Sequence, residues 1–246
     1  MVYLDGPLIL VFEKITPMNY FSTFTALLKD RQTFLEEIHE GIQLKTKISA
    51  LLMFSFLCFA VYGGIIGSFH SPLQALSSMV KLPALYLITL MVCLPALYIF
   101  NALFGSRKTL AQHFTYVLSA AAVIALLLCG FAPVVLFFLM TLSIKEYSFY
   151  LLMNVSIFMI TGVFGVSFLY QAMRPVAGEN EVADTVKIRN RILQFWLLLY
   201  GFVGSQLGWT LRPFFGSPGS FEVFRPKDGN FLTGVSQALG HILSGR

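Results

Sequence analysis

Glu36-x-x-His39 is the pattern in this 246-residue chain that comes nearest to a metal half-site. A carboxylate and an imidazole at i, i+3 project from one helix face, as in half of a di-iron carboxylate centre. The other half needs a second such pair and two further carboxylates, which the chain does not offer, so a solvated helix face is expected here. His39, His70, His113 and His241 are scattered near the ends of apolar stretches or outside them. No His-Glu-x-x-His, Gly-x-Ser-x-Gly or phosphate-binding glycine loop occurs. Cys58, Cys93 and Cys129 all fall inside apolar stretches, where thiols act as small packing groups and no disulfide framework follows. No catalytic residue, cofactor or metal site is expected, and the chain is read as a non-enzyme.

The elements that would position any such chemistry are set by composition. The chain is 57% apolar and 12% charged, against roughly 25% charged in an average soluble domain. A chain with half the usual charge cannot coat a globule of this size with water-compatible side chains. Soluble enzyme, disordered region and secreted disulfide scaffold are excluded. What remains is an all-α, polytopic helical membrane protein.

A spanning helix needs about 20 apolar residues for a hydrocarbon core roughly 30 Å thick. Charge-free stretches place five spans at about 48–68, 84–104, 115–140, 148–171 and 192–211. Pro133 leaves the third either as one kinked helix or as two segments, which would make six. With the N-terminus inside, eleven Lys and Arg fall on cytoplasmic segments and six outside, which favours an N-in, C-out orientation. The expected division is a cytoplasmic segment over 1–46, a bundle over 47–211 and an extracytoplasmic tail over 212–246.

The first segment predicts an amphipathic helix. Thr16-Pro17 reads as its start, and Phe21, Phe24, Leu28, Phe34, Leu35, Ile38 and Ile42 recur at helical spacing. Lying at the headgroups is the first expectation for it, docking on a partner or another subunit the second. The polar stretch 174–191 carries acid early and base late, which suits a short helix leading into the fifth span. In the tail, Phe214, Phe215, Phe221, Phe224 and Phe231 lie among prolines, glycines and serines. With Trp209 at the interface they predict an ordered cap rather than a loose appendage.

Inside the five spans no Asp, Glu, Lys or Arg is expected, which counts against proton-coupled transport. Gly63-x-x-x-Gly67, Gly204-x-x-x-Gly208 and Gly201-x-x-x-Ser205 predict close helix packing, within the bundle or between subunits. Asn101, Asn154 and Gln206 are the main large polar groups. They either hydrogen-bond between helices or line a passage. Two functions therefore stand side by side: a scaffold or subunit of a bacterial inner-membrane assembly, and a passive pore or small-solute carrier. The lipid bilayer and other membrane subunits are the expected partners; no basic stripe points to nucleic acid.

The run from Leu82-Pro83-Ala-Leu-Tyr through Phe104-Gly-Ser-Arg-Lys-Thr to Pro133 resembles the Yip-type (Ypt-interacting protein) membrane domain over some 100 residues. The resemblance implies five spans, a cytoplasmic N-terminus and a Gly-Ser basic turn after the second span. The family's Tyr-Gly-Pro motif is echoed by Leu4-Asp5-Gly6-Pro7. The stretch Gly204-Ser-Gln-Leu-Gly-Trp-Thr-Leu-Arg-Pro-Phe-Phe-Gly-Ser-Pro218 is similar to a signature of uncharacterised bacterial inner-membrane proteins, which implies location and topology only.

Overall fold

A computed structural model describes residues 20–69, 71–103, 108–141, 147–173, 183–211 and 240. Among them the chain forms seven helices and no strand: α1 (Tyr20–Lys29), α2 (Arg31–His39), α3 (Leu44–Gly67), α4 (Pro72–Leu103), α5 (Leu110–Thr141), α6 (Tyr147–Ala172) and α7 (Ala183–Leu211). The expected start at Thr16-Pro17, the first half of the connector at 174–191 and the tail from Arg212 except residue 240, with Phe214, Phe215, Phe221, Phe224 and Phe231, lie outside the described residues.

Four helices, α3 to α6, are long and apolar enough to cross a membrane. They mark the chain as an integral membrane protein. The stretch expected as a fifth span forms a helix, α7, but its apolar part is diluted by Gln194, Gln206 and several glycines, and it is not among these four. Pro133 does not divide the third stretch: α5 runs unbroken from Leu110 to Thr141, and α4 likewise runs through Pro83 and Pro95. Helix α4 starts well before the span expected from 84, a correction to that boundary. Helical backbone does not stop at a charge, so α4 begins at Pro72 and Lys81 lies within it, buried. Thirty-two residues at about 1.5 Å make a helix of about 48 Å, longer than the roughly 30 Å of hydrocarbon. Lys81, nine residues from its start, therefore falls near one edge of the apolar layer.

Helices α3 to α7 alternate in direction. Helix α3 sits between α4 and α5, α6 covers the other side of α5, and α7 packs on α4. Two apolar clusters fill the interior. One, at the end where α1 and α2 lie, joins Leu27, Phe34, Ile38, Leu51, Leu97, Tyr116, Phe168 and Trp196. The other, toward the far end, joins Phe59, Tyr62, Leu128, Val135, Tyr150 and Ile157. Large apolar side chains such as Met53, Met91, Phe137, Met159 and Phe202 face outward, the distribution expected of a surface solvated by lipid.

The N-terminal segment departs from the expected single helix. Asp30 caps α2, its Oδ1 accepting the Thr33 N–H at 3.3 Å, so the chain breaks there into α1 and α2. A second break follows at 40–43, where Gly41 has φ +78° and Gln43 has φ +50°. Glycine adopts that left-handed conformation freely, and glutamine does so at a cost. The two breaks fold α1 and α2 into a hairpin against the bundle. Phe24, Phe34 and Ile38, expected to lie among headgroups, are buried against protein instead, together with Leu27, while Leu28 of the expected stripe faces outward.

Candidate functional site

The polar contacts that this fold assembles concentrate where the hairpin meets the bundle. Thr109-Leu-Ala-Gln112 opens α5 with a capping box. The Gln112 N–H donates to Thr109 Oγ1 at 3.3 Å, and the Thr109 N–H donates to Gln112 Oε1 at 2.6 Å. The other side of the same amide points away from α5. Gln112 Nε2 donates to Ile38 O at 3.1 Å and His39 O at 2.6 Å, two carbonyls of the last turn of α2, of which Ile38 O also accepts the Gly41 N–H at 3.1 Å. One buried side chain thus closes the start of one helix and the end of another. The Thr-x-x-Gln spacing was a readable signal for the first role; nothing in the sequence marked the second.

Three more side chains complete the attachment. Lys47, fully buried near the start of α3, donates from Nζ to Glu37 Oε2 at 2.6 Å and to Ile42 O at 3.3 Å. Its ammonium lies 5.1 Å from the Phe34 ring centroid. Arg31 stacks over Phe168, 4.2 Å from the ring centroid, and its Nη2 donates to Phe168 O at 3.4 Å near the end of α6. A cation at a helix C-terminus is favoured by the helix dipole. Desolvation lowers the Arg31 pKa, but a guanidinium stays protonated across the physiological range. The Tyr116 hydroxyl donates to Leu35 O at 3.4 Å. The hairpin is thereby tied to α3, α5 and α6 at once.

Farther along the bundle the polar groups also link helix to helix. Tyr62 Oη donates to Asn154 Oδ1 at 2.8 Å, joining α3 to α6, and Asn154 Nδ2 donates to Tyr150 O at 2.8 Å. Trp196 Nε1 donates to Cys93 O at 2.7 Å, joining α7 to α4. Asn101 Nδ2 turns back on its own helix, to Leu97 O at 2.8 Å. In an apolar interior each such donor needs an acceptor, and bonding across helices both satisfies it and fixes the register.

The residues singled out from sequence separate into groups. Gly63 and Gly67 sit in the contact between α3 and α4. A Cβ on Gly63 would collide with Ser78 O, and one on Gly67 would lie 2.7 Å from Gln74 O. Gly204 and Gly208 face α4 more loosely, with Thr89 Cγ2 and Leu85 Cδ2 at 3.6 and 3.9 Å from such a Cβ. Gly201 has nothing within 4 Å, and Ser205 Oγ donates to Phe202 O of its own helix at 2.8 Å. Trp209 lies in α7, its side chain outside the described set. Asn101 and Asn154 are not brought together: one is in the last turn of α4 beside the start of α5, the other near the start of α6 beside the end of α5. Gln206 is half-buried on α7.

Among the described residues, no three His, Cys, Asp or Glu side chains converge. An open groove of about 490 Å³ between α5 and α6 is lined by Phe131, Val134, Phe138, Phe149, Met153 and Ile157 and carries no titratable group. Its Ser156 donates to Leu152 O of its own helix at 2.8 Å. Comparison with protein-family models, curated proteins and solved structures finds no match for the chain.

Proposed function

We propose that the chain is a non-enzymatic, membrane-embedded subunit or scaffold of a bacterial inner-membrane assembly. In this reading α7 is a fifth span, the N-terminus and the α1–α2 hairpin are cytoplasmic, and the phenylalanine-rich tail covers the opposite face. The observation that carries it is where the polar side chains are spent: Gln112, Lys47, Arg31, Tyr62 and Trp196 all hold one helix to another. A rigid bundle with a fixed cytoplasmic element is what a partner can bind to. A passage through the bundle would need Asn101, Asn154 and Gln206 along one path. Asn101 and Asn154 instead lie at opposite ends of α5, each engaged in a hydrogen bond.

The test is purification at native expression level from membranes, followed by reconstitution. The reading expects a second polypeptide held in fixed stoichiometry through size-exclusion. It also expects no solute flux when the chain alone is placed in liposomes. A chain that purifies alone and conducts, with conductance lost on Asn154→Leu, overturns it.

A further inference from the structure

His113 is 1% exposed in the first turn of α5, ahead of the apolar stretch expected from 115. Its Nδ1 lies 3.0 Å from Thr109 O. A carbonyl oxygen can only accept, so Nδ1 carries the hydrogen and Nε2 is left with its lone pair. Nε2 is buried and has no hydrogen-bond partner. From α4 the ring meets Tyr98 edge-on, with centroids 5.6 Å apart. None of the charged groups around it can receive a proton from Nε2. Lys108, just ahead of α5, repels a second positive charge, its own Nζ lying 5.2 Å from the Tyr116 ring centroid. On α2, Glu37 is held by Lys47 of α3, Glu36 and Glu40 are exposed, and His39 meets α5 through its backbone carbonyl, at Gln112. Lys45 of α3 is exposed, Lys81 of α4 lies toward the other end of the bundle, and α6 carries no Asp, Glu, Lys or Arg. An imidazolium in this place would be a buried charge with an unbonded N–H, a cost that moving the ring into water removes.

The same turn of α5 holds the hairpin. Thr109 O accepts from the His113 ring, and the Thr109 N–H and hydroxyl donate to Gln112 Oε1 at 2.6 and 3.1 Å. Gln112 Nε2 in turn donates to Ile38 O and His39 O of α2. We propose that His113 is a pH-sensitive latch for the α1–α2 hairpin. Neutral, it lets the first turn of α5 close on α2; protonated, it swings into water and draws Gln112 off the two carbonyls. The docked ring has no place for the added proton, whereas the released ring is a solvated imidazole that titrates near pH ~6.5. Release therefore binds one proton. Docking is at full strength above that pH, and each pH unit below it lowers the ratio of docked to released hairpin about tenfold.

Hydrogen exchange of the full chain in lipid nanodiscs, corrected for the intrinsic pH dependence of exchange, reads the released population. Protection over Arg31–His39 is expected to hold between about pH 7.5 and about pH 6.5, and to fall about tenfold by about pH 5.5, while the middle of α6 keeps its protection. His113→Asn is expected to stay protected throughout. An asparagine can donate to the carbonyl four residues back, as Asn101 and Asn154 do, and takes up no proton in this range. His39→Asn and Glu37→Gln are each expected to keep the wild-type fall. Constant protection of α2 across the range overturns the proposal, as does the same fall in His113→Asn. So does a fall that disappears in His39→Asn or Glu37→Gln, which would place the acid-sensitive group on α2. A fall shared equally by α6 means that acid opens the whole bundle, and the latch is then wrong.

Discussion

Gln112 shows how one side chain can do work that no single helix requires of it. Its carbonyl oxygen closes the start of α5, while its amide nitrogen serves Ile38 O and His39 O of α2. Gln112→Glu separates the two roles, because a carboxylate keeps the acceptor and loses both donors. Ile38 O keeps the Gly41 N–H while His39 O loses the Gln112 donor, and a buried acceptor left short of a donor costs about 1–3 kcal/mol. We expect Gln112→Glu to destabilise the protein by about that much in chemical unfolding, and to expose the 40–43 turn to protease before the bundle unfolds. Unchanged protease resistance would show that the hairpin does not depend on this bond. Lys47 gives a second case. Its ammonium is buried with Glu37 as its ion-pair partner, and removing one partner of a buried pair costs about 3–5 kcal/mol. Ile42 O and the Phe34 ring still face it in Glu37→Gln, so a loss at or below the lower end of that range is expected in equilibrium unfolding.

At the scale of helices, the glycine faces are not equivalent. A methyl on Gly63 meets the backbone of Ser78, which cannot rotate away as a side chain can. Overpacking of this kind costs about 1–3 kcal/mol. A methyl on Gly201 meets nothing, and alanine is a better helix former by about 0.5–1 kcal/mol. Opposite signs are therefore expected for Gly63→Ala and Gly201→Ala in thermal unfolding, although both positions begin small-xxx-small motifs. If both substitutions destabilise, the open face of Gly201 is covered by another subunit. The turn between α2 and α3 offers a third measurement. Gln43 holds a left-handed backbone at φ +50° and ψ +35°. Gln43→Gly removes that strain and adds freedom to the unfolded chain, for an expected net gain of about 0.5–1 kcal/mol.

For the whole molecule the proposed arrangement predicts which side of the membrane each helix end reaches. In a cysteine-free background, Glu40→Cys, Arg191→Cys and Thr210→Cys report on the exposed turn between α2 and α3, the early part of α7 and its end. The proposed arrangement expects an impermeant thiol reagent to reach only Thr210→Cys in intact cells. Labelling of Arg191→Cys and Thr210→Cys from the same side would mean that α7 lies along the membrane instead of crossing it. Labelling of Glu40→Cys from outside would reverse the bundle.

Composition and charge-free length by themselves determined that this is a helical membrane protein and located its long helices to within a few turns. Burial of a backbone in hydrocarbon leaves so few alternatives that a ruler of apolar residues is enough. Packing glycines were legible for the same reason at Gly63 and Gly67: small residues at helical spacing matter wherever backbones approach. The ruler failed where helix and hydrophobic layer have different ends, as at Lys81, because a helix tolerates a charge that the middle of a bilayer would not. The N-terminal segment was legible as amphipathic, but its destination was not. An apolar stripe fits a lipid surface and a protein groove equally well. The choice between them was made by partners more than seventy residues away in the chain, Gln112 for Ile38 and Phe168 for Arg31. The same holds for Tyr62 with Asn154. Each is an ordinary residue in its own helix, and only the packing of one helix against another decides what it faces.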